Sequence, residues 1–230
     1  VRRIWMAKAM SVAAFTTGMA TVPATAHAAT IAVPCDSAAL ISAIVTSAPG
    51  GTLVLAPGCT YTLDNSTGPI PVIDKPLTIH GNDSTISRDP GSAAFRILSV
   101  NSNVNIDRIN LTGGAVPGSI GAGITVFSGL ANLNNVHLYG NVAASGGGLG
   151  VLSNATVRLT RSTITQNRGI QTGGGLSNTG QLAIGNSVIN ENEAGERGGG
   201  IINGRQLIIS DTALNNNVTT TPTSVGGGIG

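Results

Sequence analysis

Between His80 and Arg108 the chain gathers three aspartates, Asp83, Asp89 and Asp107, and three arginines, Arg88, Arg96 and Arg108. Carboxylates in such company can do acid–base work. Glycoside hydrolysis needs two of them converging within roughly 5 to 10 Å. A lyase needs a cationic base, usually beside acidic ligands for calcium. Asp83, Asp89, Asp107 and Arg108 are therefore the catalytic candidates, and a solvated loop face is the competing reading. A second acidic group, Glu191, Glu193 and Glu196, crowds one apparent loop. Neither group recurs one repeat later as a facing pair.

Glycine-rich loops can cradle phosphates, and the chain has 33 glycines. No Gly-Lys-Ser/Thr ending follows any of them, and Gly118-Ser119-Ile120-Gly121-Ala122-Gly123 neither fits the dinucleotide fingerprint nor opens a helix. Here glycine permits tight corners, positive φ and close approach of neighbouring chains. Cys35 and Cys59 are the only cysteines, and in an oxidising compartment they read as one disulfide. With no Cys-x-x-Cys and only His80 and His137 beyond residue 28, no metal is expected, nor any cofactor.

The elements that must position these residues follow from a repeat. Glycine triplets begin at Gly146, Gly173, Gly198 and Gly226, in steps of 27, 25 and 28, each followed by Leu or Ile, and Gly121-Ala122-Gly123-Ile124 precedes them by 25. In step with them run Asn141, Asn167, Asn192 and Asn217, separated by 26, 25 and 25 residues. Between the two sets apolar residues alternate, as in Leu182-Ala183-Ile184 and Leu207-Ile208-Ile209, which is the period of strands. Ser153-Asn154, Asn178-Thr179-Gly180 and Asn203-Gly204 supply turn chemistry between them.

No single row can bury its apolar side, whereas stacked rows enclose a continuous core. The expected fold is all-β: a right-handed parallel β-helix with coils of about 25 residues, the hand following from that of parallel crossovers. The recurring asparagines are expected to form an internal structural ladder that satisfies corner backbone groups. Helical repeats are the poorer reading, because glycine triplets and β-branched residues would break a helix in every row.

Residues 1–28 read as a signal peptide. Arg2, Arg3 and Lys8 form a basic start, Ala9 to Met19 is apolar but too short for a span, and Ala26-His27-Ala28 offers a cleavage site. The arginine pair resembles a twin-arginine export signal. Removing this segment leaves nine basic and ten acidic residues, so no basic groove for nucleic acid is expected. Residues 29–60 are expected to form a cap, helical from Ala29 to about Ser47 with Leu40, Ile41, Ile44 and Val45 on one stripe, followed by the first strand at 52–56 and tied by the disulfide. Residues 61–230 form the β-helix, regular from about 121. Loop candidates lie at Asn65 to Pro71, Asn82 to Ser92 and Gly113 to Gly118. The C-terminal cap is read as missing, which predicts a fragment or end-to-end self-association.

From residue 121 onward the rows resemble the repeats of polymorphic outer membrane proteins and autotransporter-like adhesins, with Leu or Ile-x-x-Asn for the family's Phe-x-x-Asn and Gly-Gly-Gly-Leu or Ile for its Gly-Gly-Ala element. The resemblance implies a secreted or cell-surface scaffold whose partners are a wall or surface polysaccharide or protein. The same fold carries polysaccharide lyases and hydrolases of the pectin lyase-like group, the alternative function. Of the polygalacturonase motif elements only His80-Gly81 is present. Four aromatic residues beyond residue 28, Tyr61, Phe95, Phe127 and Tyr139, leave little stacking surface for sugars.

Overall fold

The computed structural model describes residues 28–221 and 226–230. The signal peptide expected at residues 1–28 lies outside them, except for Ala28. The chain winds as a parallel β-solenoid of about eight turns with coils of about 25 residues.

Each regular coil passes four sides. On the first, Leu176–Asn178 lies between 149–151 and Ile201–Asn203. On the second, Gln181–Gly185 lies between 156–160 and Gln206–Ser210. On the third, Val188–Asn190 lies between Thr163–Thr165 and Ala213–Asn215. These three sides belong to one 15-stranded sheet, and the fourth, with Glu193–Ala194 over Arg168–Thr172, belongs to a separate 5-stranded sheet. Strand alternation sends Leu182, Ile184, Ile189 and Ala194 into a shared core, where all are at most 2% exposed.

Sharp corners join the sides, and they stack as the strands do. Arg108, Asn135, Arg161, Asn186 and Asp211 turn the second side into the third with φ between 46° and 54°. Gln166, Glu191 and Asn216 do the same after the third side, at φ of 53° to 54°, where the preceding coils have Gly113 and Gly140. Left-handed backbone of this kind costs a side-chain-bearing residue about 1 to 2 kcal/mol. The register of the neighbouring coils holds it in place.

Several sequence expectations need correction. Thr30–Val33 is a strand paired with 52–55, and the helix spans only Ser37–Thr46. Pro34 separates the two, and the Asp36 side chain caps the helix by accepting from the Ala39 amide at 2.7 Å. Val45 is 54% exposed, while Leu40, Ala43 and Ile44 form the buried stripe. Residues 82–88 belong to the strand Leu77–Arg88, and residues 115–118 to the strand Ala115–Ile120. Ser153-Asn154 is passed as a register shift inside the strand Leu149–Thr160 rather than as a turn. The Cys35–Cys59 disulfide ties the segment before the helix to the residue just before the strand Thr60–Leu63, with the Cα atoms 5.6 Å apart.

Candidate functional site

The recurring asparagines lie inside the solenoid. Asn141, Asn167 and Asn192 are at most 1% exposed. Each amide nitrogen donates to the amide oxygen of the next coil: Asn141 to Asn167 at 3.0 Å, Asn167 to Asn192 at 3.0 Å, and Asn192 to Asn217 at 2.9 Å. Asn141, Asn167, Asn192 and Asn217 also donate back to carbonyls of the previous coil, those of Leu111, Leu138, Ile164 and Ile189 in turn. The third glycine of the first three triplets, Gly148, Gly175 and Gly200, lies flat against this ladder. A Cβ on Gly175 would stand 2.7 Å from the Gly200 carbonyl oxygen and 3.0 Å from the Asn192 amide. With Asn141, Asn167 and Asn192 and the glycines Gly148, Gly175 and Gly200 so enclosed, none of these is offered to a ligand.

A second internal ladder, which the repeat pattern does not announce, occupies the corner at the other end of the third side. The hydroxyl of Ser162 accepts from the Val136 amide at 3.0 Å, that of Ser187 from Ser162 at 3.1 Å, and that of Thr212 from Ser187 at 3.4 Å. Its signal is the recurrence of a hydroxyl at 162, 187 and 212, in steps of 25. Ser and Thr are too common in this chain for that recurrence to stand out.

The catalytic candidates divide. On the outward face of the second side, parallel pairing brings His80 beside Asp107, and Nδ1 of the imidazole lies 2.6 Å from a carboxylate oxygen. Arg108 Nε donates to the other oxygen at 3.3 Å and its guanidinium also donates to Asn82 Oδ1 at 2.6 Å. A half-exposed imidazole oriented by a carboxylate is the arrangement of a general base. The register neighbours of Asp107 are His80 and Asn134, so no second carboxylate faces it along the column.

Asp83 and Asp89 stay outside this group. Asp83 holds a left-handed corner, and Asp89 accepts from Ser92 in a turn. The arginines near them in sequence turn to backbone instead. Arg88 binds the carbonyls of Gly113, Asp89 and Ser92, while Arg96 binds those of Gly121 and Ile120 with its guanidinium 5.3 Å from the Phe127 ring centre. Burial lowers the Arg96 pKa, but a guanidinium is basic enough to stay charged. The expected acidic loop also comes apart. Glu191 stacks on Gln166 at the corner, Glu193 pairs with Arg168 at 3.1 Å on the fourth side, and Glu196 makes a backbone contact to Gln171.

The third side has a different character. Its inward residues, Tyr61, Ile86, Leu111, Leu138, Ile164 and Ile189, are fully buried. Their outward neighbours align across seven coils in two columns, one running from Thr60 through Asn110, His137 and Thr163 to Ala213, the other from Thr62 through Thr112, Tyr139 and Thr165 to Asn215. Neither column contains Asp, Glu, Lys or Arg. At its middle the rings of His137 and Tyr139 stack against each other, 4.6 Å between centres and tilted by 32°. Partial burial lowers the His137 pKa, which keeps the imidazole neutral at pH 7.

Among the described residues no three His, Cys, Asp or Glu side chains gather as a metal site, and no helix is long and apolar enough to cross a membrane. No protein-family model matches the chain, and no curated protein matches it.

Proposed function

We propose that this chain is an exported β-solenoid scaffold that presents its flat lateral sides to a cell-surface or cell-wall component, without depolymerising it. The observation that carries this reading is the alignment of outward side chains into columns across seven coils on the third side, set against carboxylates scattered among turns, corners and single ion pairs. A binding surface built from many equivalent rows gains affinity from the number of weak contacts. The signal-like residues 1–28 support export, and the likeness of the rows from 121 onward to adhesin repeats supports a surface role.

Purified protein is expected to release no reducing ends and no unsaturated products from pectate, polygalacturonate or related acidic polysaccharides, with or without calcium, yet to co-sediment with wall or envelope fractions. Turnover on any of them, lost in Asp107→Asn, would displace the scaffold reading. One observation favours that second reading, a polysaccharide lyase or hydrolase: the His80, Asp107 and Arg108 grouping at 2.6 and 3.3 Å. Under it, His80→Ala and Arg108→Ala would abolish turnover as fully as Asp107→Asn, while Asp83→Asn and Asp89→Asn would not.

A further inference from the structure

We propose that the uncharged third side is a binding face for a neutral polysaccharide, seated against the stacked rings of His137 and Tyr139. The inference rests on the scaffold reading and narrows it to one side of the solenoid and one ligand class.

Charge decides the class. An anionic polymer laid on these columns would lose water from its carboxylates or phosphates with no cation beneath to replace it, and such uncompensated desolvation is costly. The second side differs, because it holds Asp107 with Arg108 and, two coils further on, the exposed Arg158. A neutral polymer meets no such penalty on the third side, and the neutral imidazole of His137 adds none.

Chemistry fits the same class. A sugar ring has an apolar C–H face and a hydroxyl rim, so it needs a flat ring to lie on and paired donors and acceptors around it. Tyr139 is flanked along its column by Thr112 and Thr165, and His137 by Asn110 and Thr163. The threonine hydroxyls both donate and accept, and Asn110, whose amide nitrogen already donates to the Ser84 carbonyl, offers its oxygen. Threonine is stiff at χ1, so little side-chain freedom is lost when it is engaged. Rows recur at the roughly 4.8 Å spacing of paired strands, which suits a polymer with repeated hydroxyls better than a compact ligand.

The test is retention of the purified protein on neutral polymers (cellulose, chitin and a β-1,3-glucan) and on anionic ones (polygalacturonate and alginate). Retention on at least one neutral polymer is expected, unchanged between low salt and about 1 M salt. Tyr139→Ala should weaken it about tenfold, Tyr139→Phe should restore most of it, and Arg158→Ala on the second side should leave it intact. Should Tyr139→Ala lose its fold by circular dichroism, Thr165→Glu places a charge on the face at a half-exposed position and should weaken retention equally. Binding confined to anionic polymers, binding abolished by salt, or neutral binding that depends on Arg158 and not on Tyr139 overturns the proposal. Envelope fractions bound with no neutral polymer retained would leave the scaffold reading standing and this one refuted; no binding to any of them refutes both.

Discussion

The early and the regular coils meet one demand in two ways. Backbone groups buried at corners need partners. From Asn141 onward the same device recurs at each corner, an asparagine amide that serves its own coil and the next at one and a serine or threonine hydroxyl at another. Before that point every corner has its own device. The Tyr61 hydroxyl accepts from the Ala56 amide at 3.0 Å and donates to the Val33 carbonyl at 3.2 Å, the Asn82 amide reaches the Leu55 carbonyl at 2.9 Å, and Arg88 and Arg96 close the next corners with guanidinium groups. Gly114 marks the change: it stands at the ladder position one coil before Asn141, and its N–H donates to the Asn141 side chain at 2.9 Å. A repeated device makes coils interchangeable and leaves their outer sides plain. Individual devices bring long charged side chains to the surface, and the His80, Asp107 and Arg108 grouping lies among them.

The largest expected effect breaks the ladder. Asn167→Leu removes donors to Leu138, Thr165 and Asn192 and the acceptor of the Asn141 amide, all within an enclosed interior. Several buried groups left unpaired, at about 1 to 3 kcal/mol each, predict a loss of about 4 kcal/mol in denaturant unfolding. Asn190→Leu, on the outer face of the third side, should cost under about 0.5 kcal/mol. Similar losses for the two would mean that the regular coils do not depend on the ladder.

Next comes the early region's covalent tie. Cys59→Ala opens a link across 24 residues of sequence, for which restored chain freedom predicts a loss of about 3 kcal/mol. Because the tie lies between the helix and the first coils, hydrogen exchange should speed up there first and leave the amides of 149–203 slow. Uniform acceleration along the solenoid would show that the two regions unfold as one unit.

Third is Gly175→Ala. The new Cβ would meet the Gly200 carbonyl and the Asn192 amide at 3.0 Å or less, so two coils must part, at about 2 kcal/mol. Gly118→Ala, in the early region, meets nothing within 4 Å and should be neutral or slightly stabilising. Equal costs would mean that glycine acts at both places through chain entropy alone.

The same contrast explains what was legible in the sequence. Coil length, the parallel solenoid and the asparagine and glycine rows announce themselves because each residue recurs on every coil in the same role. The strand Thr30–Val33 does not, since a helical pattern that truly starts after Asp36 reads backward across Pro34 when nothing repeats to contradict it. The ring pair His137 and Tyr139 and the threonine columns are visible only once register is known, because alternation alone does not say which rows face outward together. His80 and Asp107 are 27 residues apart, and only the pairing of Leu77–Arg88 with Val104–Thr112 makes them neighbours. The nearby arginines are misleading for the opposite reason: proximity along the chain groups them with the aspartates as one catalytic stretch, while the unfilled carbonyls of the next coil have the stronger claim on Arg88 and Arg96.

The smallest expected effect concerns the left-handed corners that both regions use. Gln166 holds a φ of 54° where the preceding coil has Gly140, and its amide donates to Glu191 at 3.0 Å on the exposed surface. Gln166→Gly removes a strain of about 1 to 2 kcal/mol, loses an exposed hydrogen bond worth little, and adds the entropy of a glycine in the unfolded chain. The balance is a gain of about 0.5 kcal/mol. Arg108→Gly relieves the same strain at φ of 48° but also removes the contacts to Asp107 and Asn82, so it should gain nothing and free the His80 and Asp107 pair to move. Paired denaturant melts decide between the two corners. A gain at Gln166 with none at Arg108 would show that strain is tolerated for different reasons in the two regions: at Gln166 because the ladder beside it over-determines the turn, and at Arg108 because the side chain itself is needed. Equal gains would mean that Arg108 does not anchor that grouping, and would remove the structural argument for a catalytic second side.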